Sequence, residues 1–286
     1  MRITQSMLSS NMLKNLSNSY ASMDKYLNQL STGKKINRPS DDPAIASKGI
    51  DYRSQVTEVK QFQRNIGEVH TWMDNSDAAL DKTTKALQKM RELAVQASND
   101  TYGADERENV KEEVEQLKEH LTDIANTKVN GNYIFNGTNT GEKPTDSDYP
   151  DKSDVNIEVA NGTKLKANVD GSKIFNEDLF DDVKGFIKDL NNNDQEAIEE
   201  SIDNLDGQIN NVINERADLG ARMNRLDLVE NRLNEQETTA KKTMSDNEDV
   251  DFEEVITNLK SQESVHRAAL SAGGRVIQPT LLDFLR

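Results

Sequence analysis

The sequence predicts a mainly α-helical protein, in which both chain ends join in an elongated helical bundle or coiled coil and a small β-rich domain is inserted in the middle. Three observations predict this fold. Apolar residues repeat with heptad spacing near both ends of the 286-residue chain. Residues 44–143 and 151–278 contain no proline, so long stretches are free to be helical. Around residues 130–176, glycine, asparagine, aspartate and threonine are dense and hairpin-turn dipeptides occur.

The first predicted helix runs from about residue 6 to residue 30. Its apolar residues recur at alternating steps of three and four, which places them on one stripe that another helix can cover. This N-terminal stripe consists of Leu13, Leu16, Tyr20, Met23, Leu27 and Leu30. Gly33 is suited to end the helix, because glycine readily adopts the left-handed conformation found at helix C-termini.

The second predicted helix is long, from about residue 43 to residue 99. Asp42 followed by Pro43 is typical of an N-cap with proline at the first helical position. Apolar residues along it are spaced mainly by three, four and seven, which predicts one buried face. A third helix is predicted from about Ala104, with apolar residues at steps of four and three.

The middle of the chain predicts short strands instead of helices. Segments 133–135 and 155–159 are rich in aromatic and β-branched residues. Asn161-Gly162 and Asp170-Gly171 are dipeptides that favour hairpin turns. We therefore expect a small β-rich insertion with an acidic loop.

Helices are predicted again at about 177–190 and 194–245, the longer one with apolar residues spaced by seven. The last helix begins near Asp251, and Pro279 should kink it. It carries a second heptad stripe. This C-terminal stripe consists of Leu270, Gly274, Ile277, Leu281 and Phe284, with Leu285 beside it.

These patterns divide the chain into three predicted parts. Residues 1–42 and 249–286 form a terminal paired-helix domain for assembly. Residues 43–129 and 191–248 form a long-helix bundle, and residues 130–190 form the β-rich variable insertion. A single short helix is barely stable alone in water, so each terminal stripe needs a partner. We expect the two stripes to form the assembly interface, pairing with each other and with neighbouring molecules.

Composition narrows the possible functions. The net charge is −16 with the acidic excess between the two ends, which disfavours binding to nucleic acid or to an anionic membrane. Cysteine is absent, so disulfides and cysteine metal sites are excluded. The N-terminus lacks the apolar core of a secretory signal, and no apolar run is long enough to span a membrane. A cytoplasmic protein, or one exported without a cleaved signal, is therefore expected.

No candidate for catalysis, cofactor binding or metal binding stands out. The three histidines are far apart in sequence and form no paired zinc motif, and the acidic loop near Asp146 lacks the glycine spacing of a calcium loop. Arg38, Asp41 and Asp42 are close together, but no nucleophile or base accompanies them. Turn formation and helix capping are the favoured interpretation of these three residues.

Several segments resemble the family of flagellins and flagellar hook-associated proteins. The segment 31–44, Ser-Thr-Gly-Lys-Lys-Ile-Asn-Arg-Pro-Ser-Asp-Asp-Pro-Ala, resembles the N-terminal signature of that family. Residues 91–97 are similar to its helical core, and residues 126–137 resemble the start of its variable insertion. The C-terminal residues 264–286 resemble the members that join hook to filament, because Gln278-Pro279 stands where a filament flagellin would have a glutamine-rich stretch.

The resemblance implies a structural junction protein without catalysis or cofactor. It implies export in unfolded form through the flagellar export apparatus, and terminal segments that order on assembly. The implied partners are hook-associated protein 1, flagellin, identical subunits in a ring, and a cytoplasmic export chaperone that binds the C-terminal helix. Three alternatives stay open: a short filament flagellin, an enzyme on a flagellin scaffold, and a cytoplasmic coiled-coil scaffold.

Overall fold

The computed structural model describes residues 5–99, 102–144 and 150–277, with side chains described between residues 7 and 274 of these ranges. The fold is mainly α, with short hairpins in the middle of the chain. The helices described are α1 (Gln5–Thr32), α2 (Pro43–Ala97), α3 (Ala104–Ala125), α4 (Glu177–Asn192), α5 (Gln195–Glu248) and α6 (Phe252–Ile277).

Two antiparallel hairpins form the β structure of the described residues. In the first, β1 (Lys128–Val129) pairs with β2 (Asn132–Tyr133) across a turn in which Asn130 and Gly131 both have positive φ. In the second, β3 (Asn156–Ala160) pairs with β4 (Thr163–Lys166). These two hairpins belong to separate two-stranded sheets.

The chain packs as two compact units. The terminal unit comprises the described parts of residues 1–58 and 237–286, and the central unit comprises those of residues 59–236. The terminal unit therefore holds α1, α6, the start of α2 and the end of α5. The three-part division expected from the sequence remains a prediction about layers of assembly.

The central unit has a continuous apolar core to which α2, α3, α4, α5 and both hairpins contribute. The heptad residues of α5, Val212, Leu219, Leu226 and Leu233, are all buried in it. The predicted apolar face of α2 is also buried from Ile66 onward. Phe135 and Phe175 pack edge to face in this core with ring centroids 5.0 Å apart. Helical periodicity therefore identified the buried faces of the long helices.

Two features of the middle segment differ from the prediction. Asp170-Gly171 does not form a hairpin turn: the Asp170 carboxylate accepts a hydrogen bond from the Ser172 amide and caps a 3₁₀ helix, Gly171–Lys173. Gly171 lies against the Phe135 backbone, where a Cβ would not fit. The strand predicted at residues 133–135 ends at Tyr133, because Ile134 and Phe135 turn into the core. The Asn161-Gly162 turn is present, with Gly162 at φ +70°.

Candidate assembly site

The helices α1 and α6 pack against each other in antiparallel orientation within the terminal unit. Along both helices, the positions with reduced exposure recur at alternating steps of three and four, the spacing of a two-helix coiled coil. On α1 this inner face contains Ser9, Met12, Leu16, Ser19, Met23, Tyr26 and Leu30. On α6 it contains Val255, Leu259, Gln262, His266, Ala269 and Gly273. The terminal helices therefore pair within one chain.

Polar and aromatic contacts fix the register of this pair. The Gln262 side-chain amide donates a hydrogen bond to the buried Ser19 hydroxyl at 3.0 Å. The Tyr20 and His266 rings lie with centroids 6.2 Å apart and their planes tilted by 55°. Because a buried hydrogen-bonded pair is costly to separate, the Gln262–Ser19 contact favours this register over its neighbours.

Near the chain ends, a glycine of α6 lies directly against α1. Gly273 is buried, and a Cβ added there would overlap the end of the Met12 side chain. The neighbouring Gly274 is exposed, with open space around the position of a Cβ. Gly273 thus forms the hole into which Met12 inserts, and Gly274 lies on the other face of the same helix.

The predicted N-terminal stripe is split between two faces of α1. Leu16, Met23 and Leu30 lie on the inner face. The alternate residues form what we call the outer stripe: Leu13 is 60% exposed, Tyr20 67% and Leu27 52%. Large apolar side chains at seven-residue spacing on a solvent-facing helix are typical of a surface that another helix covers. The apolar face of α1 is therefore wider than α6 alone can cover.

The predicted C-terminal stripe lies mostly away from the inner face. Leu270 is 49% exposed and Gly274 is exposed, each one residue after the inner positions Ala269 and Gly273. Ile277 is the last residue of α6. The remaining predicted interface residues, Leu281, Phe284 and Leu285, lie outside the described residues, as does Pro279.

A charged cluster in the terminal unit surrounds Glu248, and we call it the Glu248 cluster: its members are Glu248, Arg53, Lys34, Asp249 and Ser245. Glu248 is only 4% exposed. The Arg53 guanidinium binds it through two hydrogen bonds of 2.7 Å, and the Lys34 ammonium approaches it at 3.3 Å. Lys34 also pairs with Asp249 at 2.6 Å, and the Ser245 hydroxyl donates to that same carboxylate at 2.6 Å. The buried carboxylate is therefore neutralised from two sides.

The electrostatics of the cluster favour its charged forms. The hydrogen bonds from Arg53, reinforced by Lys34, hold the pKa of the Glu248 carboxyl below its ordinary value. The Lys34 ammonium likewise lowers the pKa of Asp249, and the Asp249 carboxylate raises the pKa of Lys34. All members of the cluster are consequently ionised near neutral pH.

Backbone hydrogen bonds join the same two segments. Lys34 and Asp249 form an antiparallel bridge, in which the Lys35 amide donates to the Glu248 carbonyl at 2.7 Å and the Val250 amide donates to the Gly33 carbonyl at 3.0 Å. Gly33 has φ +70° at the end of α1, a conformation that glycine adopts without strain. The bridge and the Glu248 cluster together link the end of α1 to the end of α5.

The acidic residues of the signature segment act as caps, as the sequence indicated. The Asp41 carboxylate accepts hydrogen bonds from the Asn37 and Arg38 amides at 3.0 and 2.9 Å. The Asp42 carboxylate caps α2 by accepting from the Ala44 and Ile45 amides at 2.9 and 3.1 Å. These bonds hold the turn between α1 and α2 in one conformation.

Sequence reasoning missed the Glu248 cluster. Lys34 and Glu248 are 214 residues apart, and each is an ordinary charged residue in a charge-rich chain. The available signal was the signature segment itself, since two adjacent lysines follow the glycine that ends α1. Nothing in the local pattern identified their acidic partners.

Within residues 5–99, 102–144 and 150–277, no helix combines the length and the apolar character needed to cross a membrane.

Both ends of the chain match models of a known protein family. Residues 3–140 match the family model described as the bacterial flagellin N-terminal helical region. Residues 202–285 match the bacterial flagellin C-terminal helical region. The two matches contain every predicted assembly residue and every member of the Glu248 cluster.

Individual relatives extend over almost the whole chain. This chain is 26% identical over 300 residues to flagellar hook-associated protein 3 of Salmonella typhimurium, and the alignment covers 94% of this chain and 95% of that protein. It is 28% identical over 283 residues to the flagellar filament 33 kDa core protein of Treponema phagedenis, covering 96% of each. The solved structure of a flagellar hook-associated protein from Vibrio parahaemolyticus has the same fold, with a TM-score of 0.68 at 21% identity, covering 73% of this chain and 100% of that one.

Proposed function

The chain belongs to the bacterial flagellin family, and we propose that it is the structural junction protein that connects the flagellar hook to the flagellin filament. The matches to the N-terminal and C-terminal helical regions of flagellin together cover more than half of the chain. Within that family, the chain is similar to hook-associated protein 3 over almost its whole length, and this similarity is the observation on which we assign it to the junction. The protein acts by packing against its neighbours, without catalysis.

The terminal unit supports assembly through helix packing. Within the helix pair, α6 covers only part of the apolar face of α1 and leaves the outer stripe exposed. Burying a leucine side chain stabilises an interface by about 1.5–3 kcal/mol. A helix from an adjoining subunit placed on Leu13, Tyr20 and Leu27 would therefore gain appreciable binding energy. The C-terminal stripe, from Leu270 to Leu285, is the second part of the proposed interface.

A junction in the flagellum requires interactions with other flagellar components. We infer that these are hook-associated protein 1 on the hook side, flagellin on the filament side, and identical subunits within a ring. Before export, a cytoplasmic chaperone binds the C-terminal helix. The protein then leaves the cell unfolded through the flagellar export apparatus and ends in the extracellular flagellum.

The proposed division of labour follows the three predicted layers. Residues 1–42 and 249–286 form the inner assembly layer, and residues 43–129 with 191–248 form a helical layer around it. The insertion, residues 130–190, projects to solvent. The two compact packing units are compatible with this division, because the paired terminal helices belong to one unit and the hairpins to the other.

Deleting the gene in the source bacterium tests the proposal. We expect cells that keep their hooks, lose their filaments and release flagellin monomers into the medium, with motility restored by the intact gene on a plasmid. Normal filaments in the deletion strain would overturn the junction assignment.

A filament flagellin is the second candidate, since the filament core protein of Treponema phagedenis is 28% identical over 96% of this chain. The two candidates differ in polymerisation. A filament subunit added to sheared filament seeds elongates them without limit, whereas a junction subunit stops after a layer. Electron microscopy of seeds mixed with purified protein measures this difference, and long new filaments would favour the flagellin.

A further inference from the structure

We propose that His70 of α2 and Asp227 and Glu230 of α5 form a binding site for Zn²⁺ or a related first-row divalent cation. The three side chains each offer one ligand atom, and these atoms all lie within 4.8 Å of one another. His70 Nε2 lies 3.1 Å from a Glu230 oxygen and 3.8 Å from an Asp227 oxygen. All three residues belong to the central unit.

The spacing fits a metal ion at the centre. Zinc binds histidine nitrogen and carboxylate oxygen at about 2.0–2.2 Å. Tetrahedral ligands at that distance lie roughly 3.4 Å from each other, by the geometry of the tetrahedron. The two separations from His70 Nε2 bracket this value. Small side-chain rotations would therefore place all three atoms around one ion, with a remaining position for water.

The two helices hold the ligands in place. Asp227 and Glu230 are three residues apart on α5, so they lie on the same helical face. Seven residues before His70 on α2, the Gln63 side chain donates to Asn234 of α5 at 2.9 Å. Seven residues after it, Asp77 binds Arg216 of α5 at 2.7 Å. Polar links on both sides therefore fix the distance between the helices at the site.

The charge of the site favours a cation. Among the described residues, neither Asp227 nor Glu230 forms an ion pair with a lysine or arginine, and the His70 imidazole is the basic group that approaches both carboxylates. Both carboxylates are partly exposed, at 59% and 45%, while the His70 side chain is 28% exposed. Two carboxylates facing an imidazole provide the mixed nitrogen and oxygen set that zinc accepts. Magnesium and calcium prefer oxygen ligands alone, so the imidazole disfavours them.

The paired i, i+3 carboxylates come from one helix and the histidine from another, so a bound ion would connect α2 to α5. Because the ion binds the folded arrangement, it would stabilise the central unit by mass action. This inference concerns the purified chain and does not depend on the proposed junction function.

Titration calorimetry of the metal-free full-length protein with zinc chloride tests the proposal. We expect one equivalent of Zn²⁺ to bind, and the melting temperature of the protein to rise by several degrees. His70→Ala should weaken zinc binding at least tenfold, while His120→Ala, a change at an exposed histidine outside the site, should leave it unaltered. Asp227→Asn with Glu230→Gln keeps the histidine and should weaken binding to a similar extent.

Two further measurements separate this site from general cation binding by an acidic surface. Co²⁺ should give visible absorption bands that are lost in His70→Ala, and circular dichroism should show that this variant keeps its helices. Mg²⁺ at the same concentration should not raise the melting temperature. Absence of Zn²⁺ binding, or equal binding by the wild type and His70→Ala, would overturn the proposal.

Discussion

At the residue scale, Glu248 shows how one buried carboxylate can hold chain segments together at a joint, here the end of α1, the start of α2 and the end of α5. Removing a carboxylate from water costs several kcal/mol, and only close, well-oriented cations offset that cost. Arg53 supplies two parallel hydrogen bonds, and Lys34 connects the carboxylate to Asp249. Gly49 makes room for this arrangement, since a Cβ there would stand 2.8 Å from a Glu248 oxygen. The sequence indicated the caps Asp41 and Asp42 from local pattern, but a contact between residues so far apart has no local pattern.

Glu248→Gln should loosen the joint. The amide cannot replace the charge, so Arg53 and Lys34 lose their buried partner, at a cost of about 1–3 kcal/mol in the local free energy of opening. Hydrogen exchange of the Lys35 and Val250 amides, which donate across the bridge, measures that free energy. Glu58→Gln, an exposed change in the same unit, is the matched control and should exchange as the wild type does. Unchanged protection in Glu248→Gln would show that the cluster does not hold the bridge.

The contribution of Glu248 should also depend on pH. Its folded-state pKa lies below the ordinary value of 4.5, so the unfolded chain binds the proton first as the pH falls. The stabilisation is therefore complete above about pH 4.5 and is lost as the pH falls through the lowered pKa. The ratio of amide exchange rates between Glu248→Gln and the wild type should accordingly decrease in acid. A ratio that is constant from about pH 3 to pH 7 would argue against a charged Glu248.

At the scale of elements, the heptad pattern correctly indicated a helix at each chain end, with both bounds close to those of α1 and a start close to that of α6. It did not give the rotation of each helix. The inner face of α1 includes Ser19 in place of Tyr20, because α6 offers a hydrogen-bonding partner, Gln262, at that level. A periodicity search scores only apolar residues and so selects the outer stripe together with three of the seven inner-face residues. The identity of the opposing side chains decides the register, and that information lies on the other helix.

The contact between Gly273 and Met12 gives a prediction at this scale. Gly273→Ala should stabilise α6 less than Gly274→Ala does, because the new methyl group overlaps the flexible end of the Met12 side chain, which must move away at a cost of about 1 kcal/mol that offsets the gain in helix propensity. Gly274→Ala is the matched control: it has open space and should stabilise α6 by roughly 0.5–1 kcal/mol through helix propensity. Amide exchange within α6 measures both. Adding Met12→Ala to Gly273→Ala should remove part of that cost, and equal effects of the two glycine changes would refute the proposed packing.

At the scale of the whole molecule, the order of helices and the position of the β-rich segment between them were predictable from the sequence. Proline placement and periodicity limit where helices can begin and end, and both signals are local. The Asp170-Gly171 turn was predicted wrongly because the same dipeptide suits a hairpin and a capped 3₁₀ turn, and packing against Phe135 selects the latter. The candidate metal site was not predictable, because its members come from two different helices, and His70 and Glu230 are 160 residues apart in the chain.

The outer stripe gives a prediction for the assembled structure. Leu13→Asp with Leu27→Asp should leave the monomer folded, since more than half of each side chain is exposed there. Assembly should fail, because each aspartate removes about 1.5–3 kcal/mol of apolar burial and introduces a charge to be desolvated. Asn11→Asp with Ala21→Asp changes the net charge equally at other exposed positions of α1 and is the control. Motility of a deletion strain that carries each variant measures assembly, and full motility with the first pair would contradict this role of the stripe.

The bridge between Lys34 and Asp249 has a consequence for the timing of folding during secretion. Its two sides are separated by 215 residues, so in the unfolded export that we propose it would not close until most of the polypeptide had left the export apparatus, whichever terminus emerged first. Helices need only contacts between nearby residues and can form earlier, but the bridge between Lys34 and Asp249 forms last. The terminal unit, with its exposed outer stripe, would thus be complete only after export of the whole chain. This order limits premature association with other emerging chains.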